Sequence, residues 1–176
     1  PLNKRIRMII GTDEESDWRC VDHYFKHEEM PHMGFAPDAD FPIIYAEKGI
    51  ADFDLVFPLD NSGQAEHDVE VLHFSAGRRY NMVPDFSSVS LHVLDYQTEI
   101  VQRYEDYKKQ HGLGGTCHVD KGTLVLEFEG VSAHGMEPDL GKNAGIHMAN
   151  FLASLKLDWN AITFCSFVSE HFSEDS

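Results

Sequence analysis

Four short stretches of the 176-residue chain carry side chains whose types and spacing could do chemistry. The first, Gly11-Thr12-Asp13-Glu14-Glu15-Ser16, puts three carboxylates into one turn after an apolar run. Adjacent carboxylates repel, so the turn is stable only if solvated, set against a helix N-terminus or neutralised by a cation. An acidic first helical turn and a metal-binding turn both meet that condition. The second, Pro37-Asp38-Ala39-Asp40-Phe41-Pro42, holds two carboxylates on a loop stiffened by prolines. Hard and borderline cations take oxygen ligands from such loops, and Asp also builds turns through its own local hydrogen bonds. The third, Ser132-Ala133-His134-Gly135, keeps a histidine between small residues that leave room for a ligand; a lone surface histidine is the plainer reading. In the fourth, Asn81-Met82-Val83-Pro84-Asp85 after Arg78-Arg79, the Asn amide could donate to a developing oxyanion. An Asn-initiated loop capped by Pro is its structural counterpart.

Other spacings imitate sites without making them. His118-Val119-Asp120 has the H-x-D form of a metal pair, but Lys121-Gly122 behind it reads as a hairpin turn and favours a solvated role. His27-Glu28-Glu29-Met30-Pro31-His32 is one residue too long for H-E-x-x-H, and Pro31 ends the helix that would have to carry both histidines. His23 and His27 stand at i and i+4 and could grip a metal together, though on an exposed amphipathic helix the expected role is solvation. Residues 112–115 lack the Lys of a P-loop and the preceding strand of a dinucleotide fingerprint, so they read as a connector.

The elements that must position these groups follow from periodicity. Residues 4–10 form a short apolar run stopping at Gly11-Thr12, which predicts a buried strand. Trp18, Val21, Tyr24 and Phe25 recur at helical spacing over residues 17–27, and Pro31 closes the segment. A further strand is expected over residues 41–46, with a break at Glu47-Lys48-Gly49. Beyond it the pattern predicts strands at 50–57, 69–75 and 89–94, then a helix over 98–110. Thr98 is its expected cap and Ile100, Val101, Tyr104 and Tyr107 its apolar stripe. Two hairpin strands, 116–119 and 123–128, turn at Asp120-Lys121-Gly122, and a second helix covers 143–155. Helices between antiparallel strands suggest a ferredoxin-like sandwich, and the acidic tail 173–176 is expected to fray.

Fourteen Lys and Arg against thirty Asp and Glu leave a net charge of −16. A surface so anionic excludes phosphate-tracking nucleic-acid binding, which rests on cationic side chains displacing counterions. Hydrophobic residues at 42% and charged ones at 25% are ordinary globular composition. No apolar run approaches the ~20 residues of a membrane span. Three cysteines, Cys20, Cys117 and Cys165, without close spacing, fit reduced thiols and a cytoplasmic location.

Taken together and in order, G-T-D-E-E-S, M-G-F-A-P-D-A-D-F-P with A-E-K-G, N-M-V-P-D, and S-A-H-G-M-E-P with G-K-N-A resemble the PepV-like dipeptidases, over about residues 4–155. These belong to the dinuclear zinc exopeptidases that include carnosinases and aminoacylases. For the four stretches, and not for the imitating spacings, the resemblance favours the functional reading. It implies that Glu14 is a general base, Glu15 a metal ligand, and Asp38, in preference to Asp40, a second ligand. His134 and Asn81 would contact substrate and stabilise the tetrahedral intermediate. Two divalent ions are implied, zinc foremost with manganese or cobalt as alternatives, and the implied substrate is a dipeptide.

The implied fold is an α/β fragment of a zinc-exopeptidase catalytic domain, residues 1–48, followed by an α+β ferredoxin-like lid domain, residues 49–176. That lid is expected to be incomplete and able to dimerise. The upstream H-x-D, the bridging aspartate and the downstream histidine ligand of the family have no counterparts here in the corresponding order. The chain is therefore expected to be a fragment, inactive by itself. The rival expectations are an aminoacylase or carboxypeptidase with the same machinery, and a non-catalytic α+β interaction domain.

Overall fold

The computed structural model describes residues 3–38, 42–58 and 66–172. In chain order its elements are helix α1 (Arg19–His27), strands β1 (Val69–Ala76) and β2 (Phe86–Val93), helix α2 (Gln97–His111), strands β3 (Cys117–Asp120) and β4 (Thr123–Glu129), and helices α3 (Ala144–Ala153) and α4 (Trp159–His171). Internal contacts divide the chain into two units, Pro1–Ile50 and Ala51–Ser176. Among the described residues no helix is long and apolar enough to cross a membrane.

In the second unit, period-two patterning builds the sheet. β2 and β4 alternate buried with half-buried positions, so Val89 and Leu91 face one side together with Leu124, Leu126 and Phe128. Register pairs Val89 with Leu126 and Leu91 with Leu124. The strand order is β1-β2-β4-β3 with every neighbour antiparallel. β2 and β3, joined by α2, therefore run parallel to each other with β4 between them, which is a split β-α-β unit. β1 fills the edge place beside β2, and Leu157, just after α3, forms an isolated parallel bridge to Val69. The expected α+β layer is thus present as a four-stranded antiparallel sheet with helices, in the chain order ββαββαα.

The helices supply the other half of the core. Ile100 and Tyr104 on α2 are buried as the stripe requires, and Met148, Phe151 and Leu152 on α3 join them. Tyr104 is wholly inaccessible, its ring stacks on Phe128 at 5.1 Å, and its hydroxyl lies 2.5 Å from the carbonyl oxygen of Glu127, to which it donates. α2 starts at Gln97 with Tyr96 as its cap, so Thr98 falls inside the first turn and cannot be the cap. Gly112 ends the helix at φ 60°, a left-handed C-cap. The hairpin turn is also as expected: Lys121 and Gly122 have φ of 49° and 85°, the two positive values of a type I′ turn. His118 and Asp120 consequently lie exposed on the edge strand.

α4 carries no marked apolar stripe and was not anticipated from periodicity. It is set by Asp158, whose one carboxylate oxygen accepts from the Ala161 N–H at 3.1 Å and the other from the Val71 N–H at 2.9 Å. One side chain thus caps α4 and pairs an amide of edge strand β1. Asp158→Ala is expected to cost about 1–2 kcal/mol, measured as a shift in urea midpoint at unchanged slope.

His147, in the first turns of α3, is buried at 1% exposure beside Tyr107, His111 and Lys142. Burial foremost, then the charges of His111 and Lys142, push its pKa down to about 4 from 6.5. The folded chain therefore keeps this ring neutral where the unfolded chain would protonate it. Stability from this source is fully present above pH 6.5 and is lost as pH falls toward 4, by of the order of 2–3 kcal/mol. A His147→Leu variant should flatten the stability profile over that interval; an unchanged slope would refute the assignment.

The first unit and the opening residues of the second depart from expectation. Residues 4–10 form no strand and are exposed, with Ile6, Met8 and Ile10 at 73%, 84% and 82%. Residues 42–46 and 50–57 likewise form no strand, and Phe41 lies outside the described residues. A strand is completed by its ladder partners, and among the described residues these runs pair with none. Arg7 donates to the Tyr24 hydroxyl at 2.7 Å and to Glu28 at 3.0 Å, tying the extended segment to α1. The tail 173–176 lies outside the described residues.

Candidate functional site

The acidic turn is organised by a contact that sequence spacing did not reveal. Trp18, the residue before α1, sits at φ 55° and offers no side-chain cap. Asp13 takes that role from five residues back. Its Oδ2 accepts from the Arg19 backbone N–H at 3.1 Å and from Arg19 Nε at 2.8 Å, while Oδ1 accepts from Nη2 at 3.2 Å. The Trp18 N–H closes the turn on the Asp13 carbonyl at 3.0 Å. These Arg19 hydrogen bonds hold the Asp13 carboxyl down at about 2. One of the three clustered carboxylates is thus neutralised by a guanidinium, and Glu14 and Glu15 are carried exposed on the pinned turn. The sequence signal was Arg six residues after Asp, which becomes a contact only because Trp18 turns the chain left-handed.

Asp38 is exposed and Asp40 lies outside the described residues. Among the described residues no group of three or more His, Cys, Asp or Glu side chains could hold a metal ion. A catalytic zinc takes three protein ligands and a structural one four. Glu15 and Asp38 therefore do not amount to a metal centre within these residues.

The segments that carry Asn81 and His134, fifty-three positions apart, lie side by side. Their segments run antiparallel through a bridge between Met82 and His134. The Val83 N–H donates to the Ala133 carbonyl at 2.8 Å and the Gly135 N–H to the Asn81 carbonyl at 2.7 Å. A Cβ at Gly135 would lie 3.2 Å from that carbonyl oxygen, so a small residue suits the position. Val131 and Lys142 then pair both ways, at 3.0 and 2.8 Å, and fasten the base of the His134 loop beside α3. His134 itself is exposed, and Asn81 is half-buried.

The ring of His134 has a set polarity. Its Nδ1 accepts the Met136 N–H at 3.1 Å, so in the neutral ring the proton resides on Nε2 and that nitrogen donates outward. An imidazole N–H and the Asn81 amide are thus carried on bridged segments. Met82 stands opposite His134 in that bridge and Asn81 opposite Gly135.

Over 173 residues, 98% of its length, the chain is 51% identical to proteins from two strains of Staphylococcus aureus that are named putative dipeptidase. A Staphylococcus haemolyticus protein of the same designation is 49% identical over 171 residues, 97% of the chain. The chain is a homologue of these proteins. It spans 37% of the length of the S. aureus relatives and 36% of the S. haemolyticus one. No family model matches it. Glu14, Glu15 and Asp38 belong to the unit Pro1–Ile50, and Asn81 and His134 to the unit Ala51–Ser176.

Proposed function

We propose that the chain is the part of a dipeptidase that supplies a general base and two oxyanion donors for hydrolysis of the peptide bond of a dipeptide. The observation that carries this reading is the antiparallel bridge between Met82 and His134, which sets the Asn81 and His134 segments side by side, with His134 held as an Nε2–H donor. Glu14, exposed on the pinned turn, would take a proton from the attacking water and pass it to the leaving amine, while Asn81 and His134 donate to the carbonyl oxygen. Residues 49–176 would then act as a lid that excludes water on closing. Divalent metal, zinc before manganese or cobalt, belongs to this proposal for the whole protein, with Glu15 and Asp38 as the ligands this chain would contribute. The exposed run Ile6, Met8 and Ile10 supports the same view, because apolar surface of that kind ordinarily meets a covering element.

The test compares two polypeptides on a panel of dipeptides, N-acyl amino acids and longer peptides. The longest native polypeptide containing the sequence is expected to release free amino acids from dipeptides and to lose that activity with chelator. The 176-residue chain alone is expected to release none. Hydrolysis by the short chain would refute the division of the site, and release only from N-acyl amino acids would move the assignment to an aminoacylase. A folded long polypeptide inert on every substrate would favour a non-catalytic interaction domain.

A further inference from the structure

We propose that His23 and His27 on α1 form a bidentate surface site for a borderline divalent transition metal, copper(II) ahead of nickel(II) and zinc(II). Residues four apart on a helix share a face, and the two imidazole rings already stand with centroids 4.5 Å apart and planes inclined by 35°. Two imidazole nitrogens on one ion, each at about 2.0–2.1 Å, lie at most about 4 Å apart, a separation that neighbouring rings at this spacing reach through side-chain rotation alone.

The tautomer of one ring is also arranged for ligation. His27 Nδ1 lies 2.8 Å from the backbone oxygen of His23. A carbonyl can only accept, so Nδ1 carries the hydrogen and, in the neutral ring, Nε2 keeps its lone pair. Metal-ligating histidines are commonly oriented in this manner, with the second nitrogen donating to a carbonyl or carboxylate. Both residues are exposed, which leaves water free to complete the coordination sphere. Imidazole nitrogen suits copper, nickel and zinc, with copper bound most tightly, whereas magnesium and calcium require oxygen ligands. The site shares no residue with Glu15 or Asp38 and does not depend on the proposed hydrolysis.

The chain has eleven histidines, so the test must resolve them. Copper(II) is added in substoichiometric steps to the 176-residue chain while histidine ring resonances are followed by NMR. His23 and His27 should broaden first and together, zinc should compete, and magnesium or calcium in excess should not. His27→Asn should weaken copper binding at least tenfold, with helix content checked by circular dichroism. If that variant loses α1, His23→Gln is read in the same way. Earlier broadening of other histidines, or unchanged affinity in a variant that keeps its helix, would overturn the proposal.

Discussion

Exchanging Glu14 for Gln in the longest native polypeptide carrying this sequence is expected to lower the rate of dipeptide hydrolysis by about 10²–10⁴-fold, the usual contribution of a positioned acid–base group. Gln keeps the size and hydrogen-bonding reach of Glu but cannot accept a proton at neutral pH, so the loss should fall on kcat and leave KM nearly unchanged. Fold stability should not change, because Glu14 is exposed and the turn is pinned by its neighbour. Asp13→Asn supplies the contrast. It weakens the contact with Arg19 that caps α1, and so should lower the stability of the turn as well as any rate that depends on it. A Glu14→Gln enzyme with full kcat would remove the general-base assignment and return the turn to a capped, solvated helix start.

The contrast between these two neighbours shows which parts of the molecule were legible in the sequence. Period-two and helical patterns are local, and where a segment finds its partners within the chain they read correctly. β1, β2, β3, β4, α2 and α3 all lie within a few residues of the expected spans. Residues 4–10 and 50–57 carry the same kind of apolar signal, yet hydrophobicity states only that a segment needs cover, and no ladder partner lies among the described residues. α4 escaped for the opposite reason. Its apolar and polar residues are not segregated to one stripe, and what anchors it is a single carboxylate shared with a strand some ninety positions earlier in the chain. In the candidate site, residue types were readable from motifs, whereas the Asp13 clamp and the polarity of the His134 ring each depend on backbone geometry. The first needs Trp18 at φ 55° and the second an amide aimed at Nδ1.

Gly115→Ala is expected to produce the largest loss of stability, about 4 kcal/mol or more, which would leave much of the second unit unfolded at room temperature. Gly115 lies between α2 and β3 at φ 123°, a conformation that side chains rarely adopt. An added Cβ would stand 1.9 Å from the backbone oxygen of Glu127 and 2.7 Å from its carbonyl carbon. Relief by backbone movement is blocked on both sides. The Gly114 N–H and the Glu129 carbonyl pair at 3.0 Å, the Glu127 N–H donates to Thr116 at 2.9 Å, and the buried Tyr104 hydroxyl is hydrogen-bonded to the carbonyls of Thr116 and Glu127. Shifting the strand would therefore break the edge of the sheet and uncover the ring that fills the core. Gly122→Ala separates the two sources of cost. Gly122 is also left-handed, at φ 85°, but a Cβ there meets nothing within 4 Å, so only the backbone penalty of about 1–2 kcal/mol remains. Urea denaturation of both variants measures the difference directly. Equal midpoints would mean that β3 can move away from β4 at no cost, and that the edge is held less firmly than its hydrogen bonds require.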